Sequence, residues 1–289
     1  MKIRNKLLIL LPIIILLTGC QLFKRDSMEN ISITTSNYAL EYVTRYLYGK
    51  NSLVTSIYPD GVDVNEYKFT KKQDKDNSEK DLFIYIGGSN DAEQAVTYVK
   101  NNDEIKLINA TLGMKYNYGI EELWLNPSNM LMIAQNIKND LQAYLTNTYL
   151  IKEIEDNYDN LRLELSELDA EIKLTVENAK NKTIFVNNNA LKFLEKYGLT
   201  VYVLDKDLDI YEKNLSIFKK MINDGDIKNI FVLENSEVTD EVQALIDDKK
   251  VSEEIYRNLQ NIKEEERNND VTYISLSKEN LETLKKELY

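Results

Sequence analysis

The chain has 289 residues, a formal net charge of −12 at pH 7, one cysteine and no histidine. The acidic balance excludes an ordinary nucleic-acid binder, because phosphate contact requires lysine and arginine. The absence of histidine excludes Ser-His-Asp and Cys-His catalytic sets, and the single cysteine excludes an intrachain disulfide. With 43% hydrophobic residues and only 9 glycines and 3 prolines, the chain is predicted to fold around a sizeable core.

The N-terminus has the pattern of a secretion signal. Basic residues within the first six positions precede an apolar run over 7–17, which ends at Thr18-Gly19-Cys20. The run is shorter than the about 20 apolar residues that a membrane span needs. We therefore predict a lipoprotein signal over 1–19, lipidation of Cys20 and a tether over 20–30; an ordinary secretory signal is the alternative. Removing 1–19 with its three positive charges leaves 270 residues and a net charge of −15, anchored outside the cytoplasm by acyl chains.

Residues 31–147 alternate between strand and helix patterns. Strands are predicted over 31–35, 53–58, 82–86 and 105–108, and a helix over 37–48. The run 82–86 is apolar throughout, as is typical of a strand buried on both faces of a parallel sheet. The alternation predicts an α/β lobe with a parallel sheet. The lysine-rich stretch 68–80 is predicted to be an exposed loop.

One helix is predicted to end this lobe, and a second, longer helix to follow it. Asn126-Pro127 marks the start of the first, over 127–144, because Asn can cap a helix and Pro fits its first turn. The second, over 148–181, carries a stripe of apolar residues spaced by three and four: Leu150, Ile154, Tyr158, Leu161, Leu165, Leu168, Ile172 and Val176. From Tyr149 to Lys180, at 1.5 Å per residue, it would be about 48 Å long and could join two lobes. Coiled-coil pairing is the alternative interpretation of the stripe.

The remainder, 182–289, is predicted to be a second α/β lobe of similar plan. Strands are predicted over 183–186, 200–204, 230–233 and 271–276, and helices over 190–197, 215–222, 240–247 and 280–288. Gly198 is predicted to end the first of these helices. The highly charged stretch 253–269 is predicted to be a solvated helix and loop.

Four segments resemble a known family. Residues 33–38 look like its opening strand and first helix. Gly61-Val62-Asp63-Val64-Asn65-Glu66-Tyr67 resembles its Gly-x-Asp-Pro-His-x-Tyr/Phe loop, and Glu122-Leu123-Trp124-Leu125-Asn126-Pro127 covers its His-Val-Trp-Leu-Asp-Pro stretch. Residues 184–187 and 193–199 resemble its strand bearing His or Glu and the helix that ends in Tyr-Gly-Leu. The family is that of the zinc- and manganese-type solute-binding lipoproteins of bacterial ABC importers.

The resemblance implies two α/β lobes, each with a small parallel sheet flanked by helices, joined by one long rigid helix. It also implies a metal held between the lobes, delivery to a permease and its ATPase, a monomeric protein and no enzymatic activity. The positions that match the family's metal ligands are Asn65, Glu122, Asn187 and, in a loose alignment after the last predicted strand, Ser277.

These substitutions change the metal chemistry that the site can support. Zinc prefers nitrogen and sulfur ligands, so a normal zinc site is excluded. An oxygen-ligand ion could be held weakly by Glu122 and the amide carbonyls of Asn65 and Asn187. Possible auxiliary oxygen ligands are Asp63, Glu66, Glu121 and Asp205. Alternatively, the asparagines cap turns and form hydrogen bonds across the cleft, an interpretation that the low charge count favours. No cofactor is predicted with a defined site.

Three functions are compatible with these observations. The first is a solute-binding lipoprotein of a metal-type importer whose cargo has changed. The second is a surface adhesin or scaffold that kept the fold and lost metal transport, and the third is a carboxylate-based enzyme, although no paired-acid motif supports it. Four tyrosines on the first helix (Tyr38, Tyr42, Tyr46 and Tyr48) could line a cleft for an organic ligand, or pack at a lobe surface.

Overall fold

A computed structural model describes residues 27–289. The predicted signal, the Cys20 lipidation site and most of the tether lie outside the described residues. Residues 27–289 form two four-stranded parallel sheets separated in the chain by a group of helices. No helix in this described part is long and apolar enough to cross a membrane.

The first sheet has the strand order β2-β1-β3-β4. Its strands are β1 (Ile31–Thr35), β2 (Ser52–Ser56), β3 (Leu82–Tyr85) and β4 (Lys106–Asn109), and the helices between them are α1 (Tyr38–Tyr48), α2 (Lys71–Ser78) and α3 (Asp91–Asn101). Asn37 caps α1 by accepting a hydrogen bond from the Leu40 amide, 2.9 Å away. The exposed loop predicted over 68–80 was wrong, because Thr70 and Gln73 form a capping box that starts α2.

Three helices connect the sheets: α4 (Glu122–Leu125), α5 (Pro127–Tyr144) and α6 (Thr148–Glu177). The 30 residues of α6 extend about 45 Å at the usual helical rise. All eight residues of the predicted stripe are buried. The chain's own α1 and α5 pack on α6, which supports the bridging interpretation over coiled-coil pairing.

The second sheet has the order β6-β5-β7-β8. Its strands are β5 (Thr183–Val186), β6 (Thr200–Val203), β7 (Asn229–Leu233) and β8 (Ser252–Tyr256). Around them lie a 3-10 helix (Asn189–Tyr197), α7 (Tyr211–Asp224), α8 (Asp240–Asp247), α9 (Glu264–Asn268) and α10 (Tyr273–Leu288). Gly198 ends the 3-10 helix at φ +102°, a left-handed conformation that favours glycine. The predicted fold class, two α/β lobes joined by a long helix, is confirmed.

The last predicted strand, over 271–276, was wrong. Those residues include the start of α10, which Thr272 caps by accepting a hydrogen bond from the Ser275 amide at 3.1 Å. The fourth strand of the sheet is instead β8, within the stretch predicted to be a solvated helix and loop. As an edge strand, β8 buries only Tyr256 and exposes Ser252, Glu253 and Ile255, so it lacks the apolar run that marks a central strand.

One hydrophobic core runs through both lobes. It includes Ile33 of the first sheet, Leu161 of α6 and Val186 of the second sheet, all completely buried. Smaller clusters cover the outer faces of each sheet, around Phe83 and around Phe218. Because the main core is continuous, the two sheets are packed against shared helices rather than joined by a flexible linker.

Candidate functional site: a cavity between the lobes

A cavity of about 250 Å³ lies where the carboxyl ends of the first sheet meet α4 and the second lobe. Such edges of parallel sheets are the usual place for ligands in α/β proteins. The lining residues are Ser36, Asn37, Tyr58, Val64, Asn65, Ile86, Ser89, Asn90, Asp91, Ile120, Glu121, Trp124 and Gln260. The lining therefore contains two carboxylates and, in this described part of the chain, no lysine or arginine.

Asp91 is the acid at the first-lobe wall of the cavity. Its backbone N–H donates to Ser89 Oγ at 3.1 Å, and hydrogen bonding with Ser36, Ser89 and the Ile86 backbone favours the charged form of its carboxyl group. Burial outweighs these bonds and raises the pKa of Asp91. Burial, together with the negative charge of Asp91, raises the pKa of Tyr58 to about 12. Sequence reasoning missed Asp91, although its position directly after the β3 strand and the Gly87-Gly88 turn was a usable signal.

Asn65 lines the cavity. Its backbone N–H donates to Asp63 Oδ1 at 2.9 Å, which makes a local turn. Its side chain is exposed, and Nδ2 donates a long 3.5 Å hydrogen bond to the backbone oxygen of Asn235 in the second lobe. Asn65 therefore reaches across the cleft rather than into a cluster of ligands.

Glu122 is buried but does not line the cavity. Its Oε2 accepts hydrogen bonds from the backbone N–H groups of Asn117, at 3.0 Å, and Tyr118, at 3.3 Å. This carboxylate therefore fixes the turn that precedes α4. The neighbouring acid, Glu121, is the one that lines the cavity.

Asn187 is buried at the end of β5 and uses both ends of its amide within the second lobe. Its Oδ1 accepts from Leu233 N at 2.8 Å. Its Nδ2 donates to Ser236 Oγ at 2.7 Å and to the Glu237 carbonyl at 3.0 Å. The side chain thus ties β5 to the loop after β7.

Ser277 lies inside α10 and follows no strand. Its Oγ donates to the Tyr273 carbonyl at 2.8 Å, a bond within the helix. Because β8 is the last strand, the segment that follows the last strand is 257–262, and Gln260 from it lines the cavity. Of the auxiliary acids, Glu121 lines the cavity, whereas Asp63, Glu66 and Asp205 do not.

Backbone contacts close the cavity from the second-lobe side. The Gln260 carbonyl accepts from Tyr38 N at 2.8 Å, and the Ile262 carbonyl accepts from Gly61 N at 2.9 Å. Asn261 donates from Nδ2 to the carbonyls of Pro59 and Val62, at 2.9 and 2.8 Å. The segment after β8 is therefore fastened to the loops that follow β1 and β2.

A charged cluster reinforces this closure. Arg267 Nη1 and Nη2 donate to the two carboxylate oxygens of Glu41, at 2.7 and 3.1 Å. Its Nε and Nη2 donate to Asp60 at 2.6 and 2.7 Å. Both acids belong to the first lobe, and the Glu41 side chain is completely buried. Hydrogen bonding to Asp60 is the largest influence that raises the pKa of Arg267 further above its ordinary value.

The residues present do not fit a zinc site. Within 27–289, no three histidine, cysteine or carboxylate side chains come close enough together to hold a metal ion. At the matching positions, the side chains of Glu122 and Asn187 are bonded to the protein itself. Structural zinc requires four ligands, and a catalytic or transport site requires about three.

Residues 33–287 match the family described as zinc-uptake complex component A, periplasmic. The chain belongs to this family. The family consists of solute-binding components that work with an ABC permease and ATPase. A curated relative, the high-affinity zinc uptake system protein ZnuA of Bacillus subtilis (strain 168), is 23% identical over 90% of this chain and 88% of its own length.

Solved structures of other proteins share the fold. The Zn(II)-bound ZnuA-like domain of Streptococcus pneumoniae AdcA has a TM-score of 0.71 at 21% identity, covering 90% of this chain and 99% of that one. The laminin-binding protein Lmb of Streptococcus agalactiae, described as having adhesin and metal transporting activity, has a TM-score of 0.72 at 16% identity, covering 90% and 100%. At these identities the likeness shows the fold alone.

In this zinc-uptake family member, Asn187→Ala is expected to lower the free energy of unfolding by about 1–3 kcal/mol, because it leaves the buried Leu233 N–H without its acceptor. Urea unfolding followed by circular dichroism measures the change. Asn65→Ala is the matched control, because an exposed asparagine is expected to change stability by less than about 0.5 kcal/mol. Equal effects of the two variants would contradict a structural role for Asn187.

Proposed function

We propose that this chain is the extracytoplasmic solute-binding subunit of an ABC importer, anchored through Cys20, and that it does not carry zinc at the family's ligand positions. One observation carries the proposal: the side chains of Glu122 and Asn187 accept hydrogen bonds from backbone N–H groups of other residues in their own lobes. These bonds orient Glu122 toward the turn before α4 and Asn187 toward the loop after β7. Within residues 27–289, no three histidine, cysteine or carboxylate side chains come together to hold an ion.

The charge count supports the same conclusion. Hard divalent ions are bound more tightly as the number of ligand carboxylates rises. The four matched positions offer one carboxylate and three neutral side chains, and Ser277 is inside a helix, bonded to Tyr273. These positions therefore have too few negative charges for a tight oxygen-ligand site, and their side chains do not point to a common centre.

The proposed subunit acts as a monomeric receptor without enzymatic activity. Its partners are a permease and an ATPase at the membrane, to which it delivers a solute held between the lobes. The closed arrangement of the segment after β8 over the first-lobe loops supports this role, because it encloses the cavity between two packed lobes. Opening this segment would give a solute access.

Metal titration tests the proposal. Residues 21–289, stripped with chelator, are expected to show no rise in melting temperature with zinc, manganese, calcium, magnesium or iron at micromolar concentration, and metal analysis of the unstripped protein to find no stoichiometric zinc. A ligand at a hundred times its dissociation constant would add about 2.7 kcal/mol of stability. The ZnuA-like domain of AdcA, treated identically, is the positive control. A stoichiometric, tight zinc complex of this chain that Glu122→Ala abolishes would overturn the proposal.

A second function, that of a surface adhesin without transport, is favoured by one observation. The Lmb structure, with the same fold, is described as that of a protein with adhesin activity. Binding of the mature chain to immobilised laminin, together with a gene that has no neighbouring permease or ATPase gene, would favour the adhesin. Adjacent importer genes and no laminin binding would favour the transport receptor.

A further inference from the structure

The cavity lining carries negative charge that no neighbouring lysine or arginine of the described residues neutralises through an ion pair. Asp91 and Glu121 contribute two carboxylates to its lining, and no lysine or arginine of residues 27–289 forms an ion pair with either. Burying a carboxylate without a cationic partner is unfavourable, and the raised pKa of Asp91 reflects that burial. A cation of the right size would be drawn to this position.

We propose that the cavity between the lobes binds a small organic cation, an amine or guanidinium compound, through the carboxylates of Asp91 and Glu121. The proposal rests on the proposed function, since it names the class of solute that the receptor carries. It moves the binding site from the family's ligand positions to residues that follow β3 and precede α4.

The remaining lining residues suit the donors of such a cation. The hydroxyl oxygens of Ser36 and Ser89 and the side-chain amides of Asn90 and Gln260 supply neutral hydrogen-bonding groups. Tyr58 and Trp124 also line the cavity, and aromatic faces attract organic cations. A combination of carboxylates, hydroxyls and aromatic rings recognises ammonium and guanidinium groups.

Other classes of ligand fit the cavity less well. A divalent metal ion requires six or more oxygen ligands or several bound waters, and the described chain brings no three metal-binding side chains together. An anion or an amino acid would place a carboxylate beside Asp91 and Glu121 without a basic residue to receive it. At about 250 Å³, the cavity is smaller than the about 300–1,000 Å³ typical of drug-sized ligands, which favours a compact compound.

Thermal shift and isothermal titration calorimetry on residues 21–289 test the site, with putrescine and agmatine as probes. At least one of them is expected to raise the melting temperature and bind stoichiometrically. Succinate, an anion of similar size to putrescine, is expected to have no effect. Each probe is tested at low and at physiological ionic strength, because nonspecific attraction to an acidic surface is lost with salt.

Variants separate the cavity from the general charge of the surface. Asp91→Asn and Glu121→Gln are each expected to weaken amine binding at least tenfold. Asp103→Asn removes an exposed carboxylate of the same lobe, outside the cavity, and is expected to leave the affinity unchanged. Melting temperatures without ligand show whether each variant is folded; Glu121→Gln provides the test if Asp91→Asn does not fold.

Three results would overturn the inference: no amine binding, amine binding that both cavity variants retain, or binding of magnesium or calcium that depends on the same two carboxylates. The zinc titration tests the proposed function, and its result is interpreted independently of the amine titrations. Tight zinc binding would overturn the proposed function without affecting the amine result, whereas the absence of both would overturn the inference alone.

Discussion

Arg267→Ala is expected to lower the free energy of unfolding by about 3 kcal/mol, the lower end of the cost of removing one partner from a buried ion pair. The Arg267 side chain bridges the carboxylates of Glu41 and Asp60. It donates two hydrogen bonds to each of them. The Glu41 side chain is completely buried. Its other cation, Arg45, lies 2.8 Å from Oε1 and limits the loss.

Urea unfolding measures this change against a matched control. Arg162→Ala breaks the exposed pair of Arg162 with Asp159, and the expected loss is at most about 1 kcal/mol. If the cost comes from the unpaired charge of Glu41, then Glu41→Gln on the Arg267→Ala background should recover part of the stability. A loss below about 1 kcal/mol for Arg267→Ala would show that the cluster contributes no more than a surface ion pair.

Trp124→Ala is expected to lower the free energy of unfolding by about 3–5 kcal/mol. Trp124 is 3% exposed and lies in the core shared by both lobes. Its Nε1 donates to the Asn258 carbonyl at 2.8 Å, and its own carbonyl accepts from Tyr273 Oη at 2.7 Å. The substitution therefore removes a large buried ring and leaves the Asn258 carbonyl without this donor.

Trp124→Phe distinguishes the contribution of the buried aromatic ring to stability from that of the indole N–H group. It keeps much of the buried aromatic surface but cannot donate to Asn258, so about 1–3 kcal/mol is expected. The exposed Leu53, at 65% exposure, provides the control Leu53→Ala, for which a change within about 0.5 kcal/mol is expected. Both tryptophan variants should unfold in one transition, since the core is continuous; an early transition of one lobe in Trp124→Ala would show that the lobes are stabilised independently.

Strong local patterns gave accurate predictions. The helix over 127–144 was predicted from Asn126-Pro127, and in the structure Asn126 caps α5 by accepting from Ser128 N at 3.2 Å. The stripe of α6 was predicted residue by residue, because a single buried face produces a regular spacing in a long helix. The alternation of strands and helices likewise predicted the two-lobe α/β fold.

The sequence by itself therefore determined the family, the two-lobe fold and the absence of histidine ligands, because these depend on local periodicity and on residue identity. Tertiary structure alone decided that β8 is the edge strand of the second sheet and that Ser277 lies in α10, since an edge strand is recognised by what covers it. It also decided that Asn187 bonds to the loop after β7 while Asp91 and Glu121 share a cavity. Whether a polar side chain faces a ligand or forms hydrogen bonds within the protein depends on partners that are distant in the chain. No local sequence pattern specifies those partners.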